Sequence, residues 1–112
     1  MINYSHPQVQ EDLKQLLEQD IPWNLLKDKT VLITGATGML ASYVGFTSLY
    51  LNEQLGLNIK PVFLARSEQK LTQVYGDALS QVHCLVQDVC QPMWYEGTVD
   101  YIFHAAGAAS PY

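Results

Sequence analysis

Thr30-Val31-Leu32-Ile33-Thr34-Gly35-Ala36-Thr37-Gly38-Met39-Leu40-Ala41 is the stretch that decides the fold. Its first five residues are a β-branched, apolar run with polar Lys27-Asp28-Lys29 before it and a glycine after it. That reads as a strand buried on both faces, the kind that parallel sheets contain. From Gly38 to about Glu53 the pattern becomes helical, and Gly56 is a natural stop. A buried strand thus turns into a helix through two glycines three positions apart. Gly35 suits a tight turn at positive φ, and Gly38 leaves room for a group to lie against the backbone with no Cβ in the way. The first N–H groups of the helix then point at that group, and the helix dipole favours an anion there. Ala41, a small third position, permits close packing of helix on strand. No Lys-Ser/Thr pair follows, so a nucleoside-triphosphate loop is not supported.

The same alternation continues outward. Lys60-Pro61-Val62-Phe63-Leu64-Ala65 reads as a second strand, with Pro61 at its start where a missing donor is tolerated. Ser67 is a natural N-cap for a helix opening at Glu68-Gln69-Lys70-Leu71. Val82-His83-Cys84-Leu85-Val86 reads as a third strand. A short irregular or helical link, Val89 to Thr98, leads to a fourth at Val99-Asp100-Tyr101-Ile102-Phe103-His104. Strands alternating with helices at this spacing call for an α/β fold, a parallel sheet with helices on both faces. Right-handed crossovers make it doubly wound. About four strands make only part of such a sheet, so residues 30–112 read as the first portion of a larger domain.

Residues 1–29 form an N-terminal helical arm in this reading. Ser5-His6-Pro7-Gln8 has capping-box spacing, and Val9, Leu13, Leu16 and Leu17 recur at helical spacing over about residues 7–19. Pro22 ends the helix, and Trp23, Leu25 and Leu26 read as an apolar clasp to the rest of the chain.

Composition bounds the rest. Of 112 residues, 48% are hydrophobic and 15% charged, with a net charge of −5. That is the size of one globular domain, too apolar for disorder. The acidic balance offers nothing to nucleic acid or an anionic membrane. The low charged fraction hints that some surface is covered by protein, and a homo-oligomer is the expected form. Cys84 and Cys90 are too few for a disulfide scaffold, and His6, His83 and His104 complete no metal set. The N-terminus lacks the basic and apolar regions of a signal peptide, and Met39–Leu51 is too short and interrupted to span a bilayer. The chain reads as soluble and cytoplasmic.

Gly35-Ala36-Thr37-Gly38-Met39-Leu40-Ala41 resembles the Gly-x-x-Gly-x-x-Gly/Ala turn of the short-chain dehydrogenase/reductase superfamily, and best its extended branch, the NAD(P)-dependent epimerase/dehydratase family acting on sugar nucleotides. The resemblance covers roughly residues 28–112 and implies a Rossmann-type sheet. It implies that Gly35, Thr37, Gly38, Met39 and Leu40 hold the cofactor's diphosphate. Asp88-Val89 stands where the family places an Asp beside the adenine. Asp100-Tyr101-Ile102-Phe103-His104-Ala105-Ala106 is similar to the family's fourth-strand ending, whose small residues, here Ala105 and Ala106, border the nicotinamide ribose. Ala109-Ser110-Pro111 is similar to the segment that several dehydratases and decarboxylases place near the sugar, which makes Ser110 a candidate substrate contact; a turn-forming serine is the other reading.

Two departures matter. Users of NAD in the family usually carry an acidic residue after the second strand, where this chain has Ala65-Arg66-Ser67. A carboxylate accepts the 2′-hydroxyl and repels a 2′-phosphate, and an arginine does the reverse. Arg66 therefore favours NADP over NAD; its other reading is a solvated charge at a strand end. Asp88 likewise has a plain reading as a turn residue, and His104, ending an apolar strand, reads as a hydrogen-bonded core histidine. Second, the family's catalytic Tyr-x-x-x-Lys is missing: no tyrosine in the chain has a lysine four positions on. No catalytic residue is therefore assigned, and the chain alone is not expected to perform the family reaction. What the resemblance implies is the cofactor-binding portion of a sugar-nucleotide epimerase, dehydratase or decarboxylase. An NADPH-dependent aldehyde or ketone reductase, and a non-catalytic dinucleotide-binding module, are the alternatives.

Overall fold

A computed structural model describes residues 2–105. The first helix, α1, runs Pro7–Leu17 and is followed by a 3-10 turn at Trp23–Leu26. Then come β1 Thr30–Thr34, α2 Met39–Leu55, β2 Lys60–Ala65 and α3 Glu68–Tyr75. A second 3-10 turn, Gly76–Gln81, leads to β3 His83–Val86 and, after an irregular segment, β4 Tyr101–His104. The strands form one all-parallel sheet in the order β3-β2-β1-β4. The chain steps outward from β1 to β3, then returns across the sheet to place β4 on the other side of β1.

Register and alternation sort the side chains. Cys84, Phe63, Ile33 and Phe103 share one row, and Val31 and Ala65 share their face. All three helices pack on that face: Val9 and Leu13 of α1, Phe46, Leu49 and Leu51 of α2, and Leu71, Val74 and Tyr75 of α3 join Val31, Ile33 and Phe63 in one buried cluster. A chain of rings runs through it. Phe46 meets Tyr4 and Tyr43 at 5.6 and 5.5 Å and Tyr75 at 5.3 Å, and Tyr75 meets Phe63 at 4.5 Å. Aromatic pairs at such separations add about 0.5–1.5 kcal/mol each beyond the area they bury. The arm is tied in by Tyr4, whose N–H donates to the Val74 carbonyl at 2.7 Å and whose hydroxyl donates to Glu53 at 2.8 Å.

α2 is apolar nearly all round, as a helix between sheet and arm must be. Its hydroxyls stay satisfied by turning back on their own helix: Ser42 donates to the Met39 carbonyl at 2.8 Å and Thr47 to that of Tyr43 at 2.7 Å. Gly45 is there for packing. A Cβ on it would lie 2.5 Å from the Tyr75 hydroxyl and 3.0 Å from Phe63 Cζ. Gly56 stops the helix at φ 61°.

The opposite face carries Leu32, Val62 and Leu64, all nearly fully buried. Over the β3 end of that face the irregular segment 87–100 places Tyr95 edge-on to His83 at 5.2 Å. The expected helices on both faces are thus present on one face among the described residues. Pro92 and Gly97 lie in the crossover and break any helical run there. Asp100 clasps its far end to β1: its carboxylate accepts the Thr30 N–H at 2.9 Å while its own N–H donates to the Thr30 carbonyl at 3.0 Å.

Three local expectations need correction. α1 is capped by His6, whose ring Nδ1 accepts from the Gln8 N–H at 3.0 Å; Ser5 donates to Asn3 instead. The 3-10 turn buries no side chain fully: Trp23 and Leu26 pack on the core but Leu25 faces solvent. β3 starts one residue later than read, and β4 two residues later, with Asp100 clasped to Thr30 just ahead of it.

Candidate functional site

The carboxyl edge of the sheet gathers the residues singled out in the sequence. In the order β3, β2, β1, β4 it carries Asp88 and Val89, then Arg66, then the 35–38 turn, then His104 and Ala105. That edge spans three strand spacings, about 14 Å. The strand order reverses between β1 and β4, the place where open α/β sheets leave a crevice outside the strand ends. Ala106 and Ser110 lie outside the described residues.

The turn is built as its glycines demand. Gly35 sits at φ 64°, the left-handed region. The Gly38 N–H closes the turn on the Gly35 carbonyl at 2.9 Å, and a Cβ at Gly38 would stand 3.3 Å from that oxygen. Ala36 is fully buried: its N–H donates to the Leu64 carbonyl at 3.2 Å and its carbonyl accepts the Tyr75 hydroxyl at 2.6 Å. Burial, with a smaller contribution from Cys84, pushes the Tyr75 hydroxyl far above its ordinary range, so it remains a donor. Tyr75 therefore holds the turn from behind, in the space Gly45 vacates. A glycine at position 45, inside a helical pattern, is the one local mark of this contact.

α2 then starts with no side-chain cap on its N-cap, Gly38. The first N–H groups of any helix lack intrahelical partners, and here they open at the crevice. Thr37 is half-buried beside them, and Met39 and Leu40, next along, are 79% and 70% exposed. Ala41 is buried under the turn, as close helix–strand packing requires.

Arg66 follows β2 and is exposed. The Gln87 N–H donates to the Ala65 carbonyl at 3.0 Å, which sets Asp88 beside it. Asp88 spends one carboxylate oxygen on the Cys90 N–H at 2.8 Å, the turn role read as its alternative. That bond, the Cys90 thiol and the Arg66 charge hold its carboxyl below the usual range. Val89 is half-buried next to it.

At the β4 end the reading of His104 as a core residue is corrected: it is exposed, and its Nδ1 lies 2.9 Å from the Thr34 hydroxyl. Thr34 also accepts the Ala105 N–H at 3.0 Å. β4 buries no side chain fully, Phe103 alone among its residues being half-buried, and sequence periodicity could not show that.

Elsewhere, a cleft of about 500 Å³ lies between residues 3–5 and 73–81, with Glu53 and Asp77 in its wall and no lysine or arginine. Two carboxylates in its wall repel an anionic ligand. Burial raises the Cys84 thiol above its usual range, with the Glu68 charge adding to it, which leaves it protonated and a poor nucleophile. Among the described residues no three His, Cys, Asp or Glu gather as a metal site, and no helix is long and apolar enough to cross a membrane. No protein-family model matches the chain, and no curated protein matches it.

Proposed function

We propose that this chain is the cofactor-binding part of an NAD(P)-dependent enzyme of the epimerase/dehydratase type, acting on a sugar nucleotide, with a Rossmann-type half-sheet as its scaffold. The observation that carries the proposal is the start of α2. An uncapped helix N-terminus, reached through a left-handed Gly35 and a Cβ-free Gly38, opens at the crevice where the strand order reverses. Donors without intrahelical partners, a favourable dipole and open backbone are what a diphosphate needs. The residues present fit the group, because Gly38 is a cradle that a larger side chain would fill.

The other residues take roles along the edge. The N–H groups of Met39 and Leu40 face the diphosphate, with Thr37 beside them. Arg66 offers a guanidinium to a 2′-phosphate, which favours NADP over NAD. Asp88 and Val89 border the adenine, and Ala105 the second ribose. When bound, nicotinamide supplies reversible hydride transfer with the sugar substrate. This chain's own residues bind and orient; the proton-handling Tyr-x-x-x-Lys is not among them. That last observation favours a second reading, a dinucleotide-binding module without catalysis, which a test for hydride transfer on addition of NADPH and carbonyl substrates separates from the first. Exposed Tyr101 and Ile102 on the edge strand support self-association, measurable by light scattering.

The test is calorimetric titration with NADPH and NADH, on the chain and on its Arg66→Asp variant. The expected result is tighter NADPH binding that reverses in the variant, a change of roughly tenfold or more in relative affinity for a charge-assisted phosphate contact. Tighter NADH binding by the unaltered chain removes Arg66 from the site and keeps the turn. Binding of neither overturns the proposal.

A further inference from the structure

Thr34 and His104 end neighbouring strands in direct register, on the same row of the sheet. Their side chains meet at 2.9 Å through the imidazole Nδ1, and the Thr34 hydroxyl is itself anchored by the Ala105 N–H at 3.0 Å. Thr34 is buried, whereas the His104 ring reaches solvent. Among the described residues no hydrogen bond reaches the ring's other nitrogen, Nε2. One side of the imidazole is thus fixed to the sheet and the other faces outward, at the strand next to the turn.

The layout of the edge says what meets it. If Arg66, after β2, takes the 2′-phosphate and the α2 N-terminus, after β1, takes the diphosphate, a dinucleotide runs along the edge from β2 toward β4. Its second nucleoside then arrives one strand spacing beyond the diphosphate, at the end of β4. Resting on the dinucleotide reading above, we propose that His104 is a ligand-binding residue whose Nε2 hydrogen-bonds a hydroxyl of the second, nicotinamide-side ribose, with Thr34 as the positioning residue that fixes the ring. A hydroxyl both donates and accepts, so it satisfies Nε2 in either tautomer. Fixing the ring beforehand removes the ordering cost from the binding step.

The test compares ligands that differ only past the diphosphate, titrated calorimetrically into the chain: 2′-phospho-ADP, 2′-phospho-ADP-ribose and NADPH. His104→Ala is expected to weaken the two ribose-bearing ligands about tenfold and to leave 2′-phospho-ADP unchanged. Thr34→Val should share that selective loss, and Thr34→Ser, which keeps the hydroxyl, should restore it. In the unaltered chain the ¹⁵N resonance of His104 Nε2 should shift with 2′-phospho-ADP-ribose but not with 2′-phospho-ADP. Equal weakening of all three ligands makes the histidine structural and overturns the inference. So does unchanged binding of all three by His104→Ala, which leaves the dinucleotide reading standing. Failure of the unaltered chain to bind any of them overturns both.

Discussion

α2 and α3 both follow parallel strands of one sheet, side by side, yet they begin in opposite ways. α3 starts at Ser67, whose hydroxyl accepts the Lys70 N–H at 3.1 Å, with Glu68 in its first turn. Its orphan donors and its dipole are answered from within. α2 starts at Gly38, with no side-chain cap and no acidic residue in its first turn. The difference teaches where the chain has left binding capacity. A helix end that satisfies itself contributes stability; one left open contributes less, and its donors remain for a ligand.

That contrast can be broken most severely by making α2 start like α3. Gly38→Asp places a carboxylate where the diphosphate is proposed to lie, and NADPH binding should fall at least a hundredfold by calorimetry. Stability should change by only a few tenths of a kcal/mol, since glycine and aspartate differ little as N-caps. A variant that binds normally would sever the uncapped helix end from function. Gly45→Val tests the support behind the turn. The added methyls meet Tyr75 and Phe63 at distances a core cannot absorb, so thermal unfolding should show a loss of about 3 kcal/mol. Ser67→Ala strikes the self-satisfied helix: about 1 kcal/mol of stability should go, with NADPH affinity untouched. Smallest is the acid response of Asp88. Its carboxyl titrates below the usual range when folded, so the stability it adds is present above that range and fades as pH falls toward the folded value. In Arg66→Ala, an NMR titration should find the Asp88 carboxyl moved back up.

Much of this was legible because glycine and serine at element ends have few other uses. Gly35 at positive φ, Gly56 as the stop of α2 and Ser67 as a cap were each readable from one residue and its neighbours. What could not be read depended on partners distant in the chain. Ser5 and His6 both have a cap-competent side chain, and only geometry chose the imidazole. Gly45 shows its purpose only when Tyr75, thirty positions on, folds over it. The exposure of His104 belongs to a strand whose residues are all exposed or half-buried, which its own apolar residues did not signal. The crossover 87–100 lacks periodicity, so the contact of Tyr95 with His83 has no local signature.

The Asp100–Thr30 clasp also bears on the order of assembly. β1 meets β2 across a connection of about thirty residues, but it meets β4 across seventy. Closing the longer loop costs about 0.7 kcal/mol more in chain entropy, and such distant parallel pairings form slowly. The crossover bears few deeply buried side chains to offset that cost. β4 is therefore the strand to dock last in folding and to peel first, with its amides exchanging ahead of those of β1 and β2, so that one wall of the crevice is rebuilt each time the sheet opens and closes.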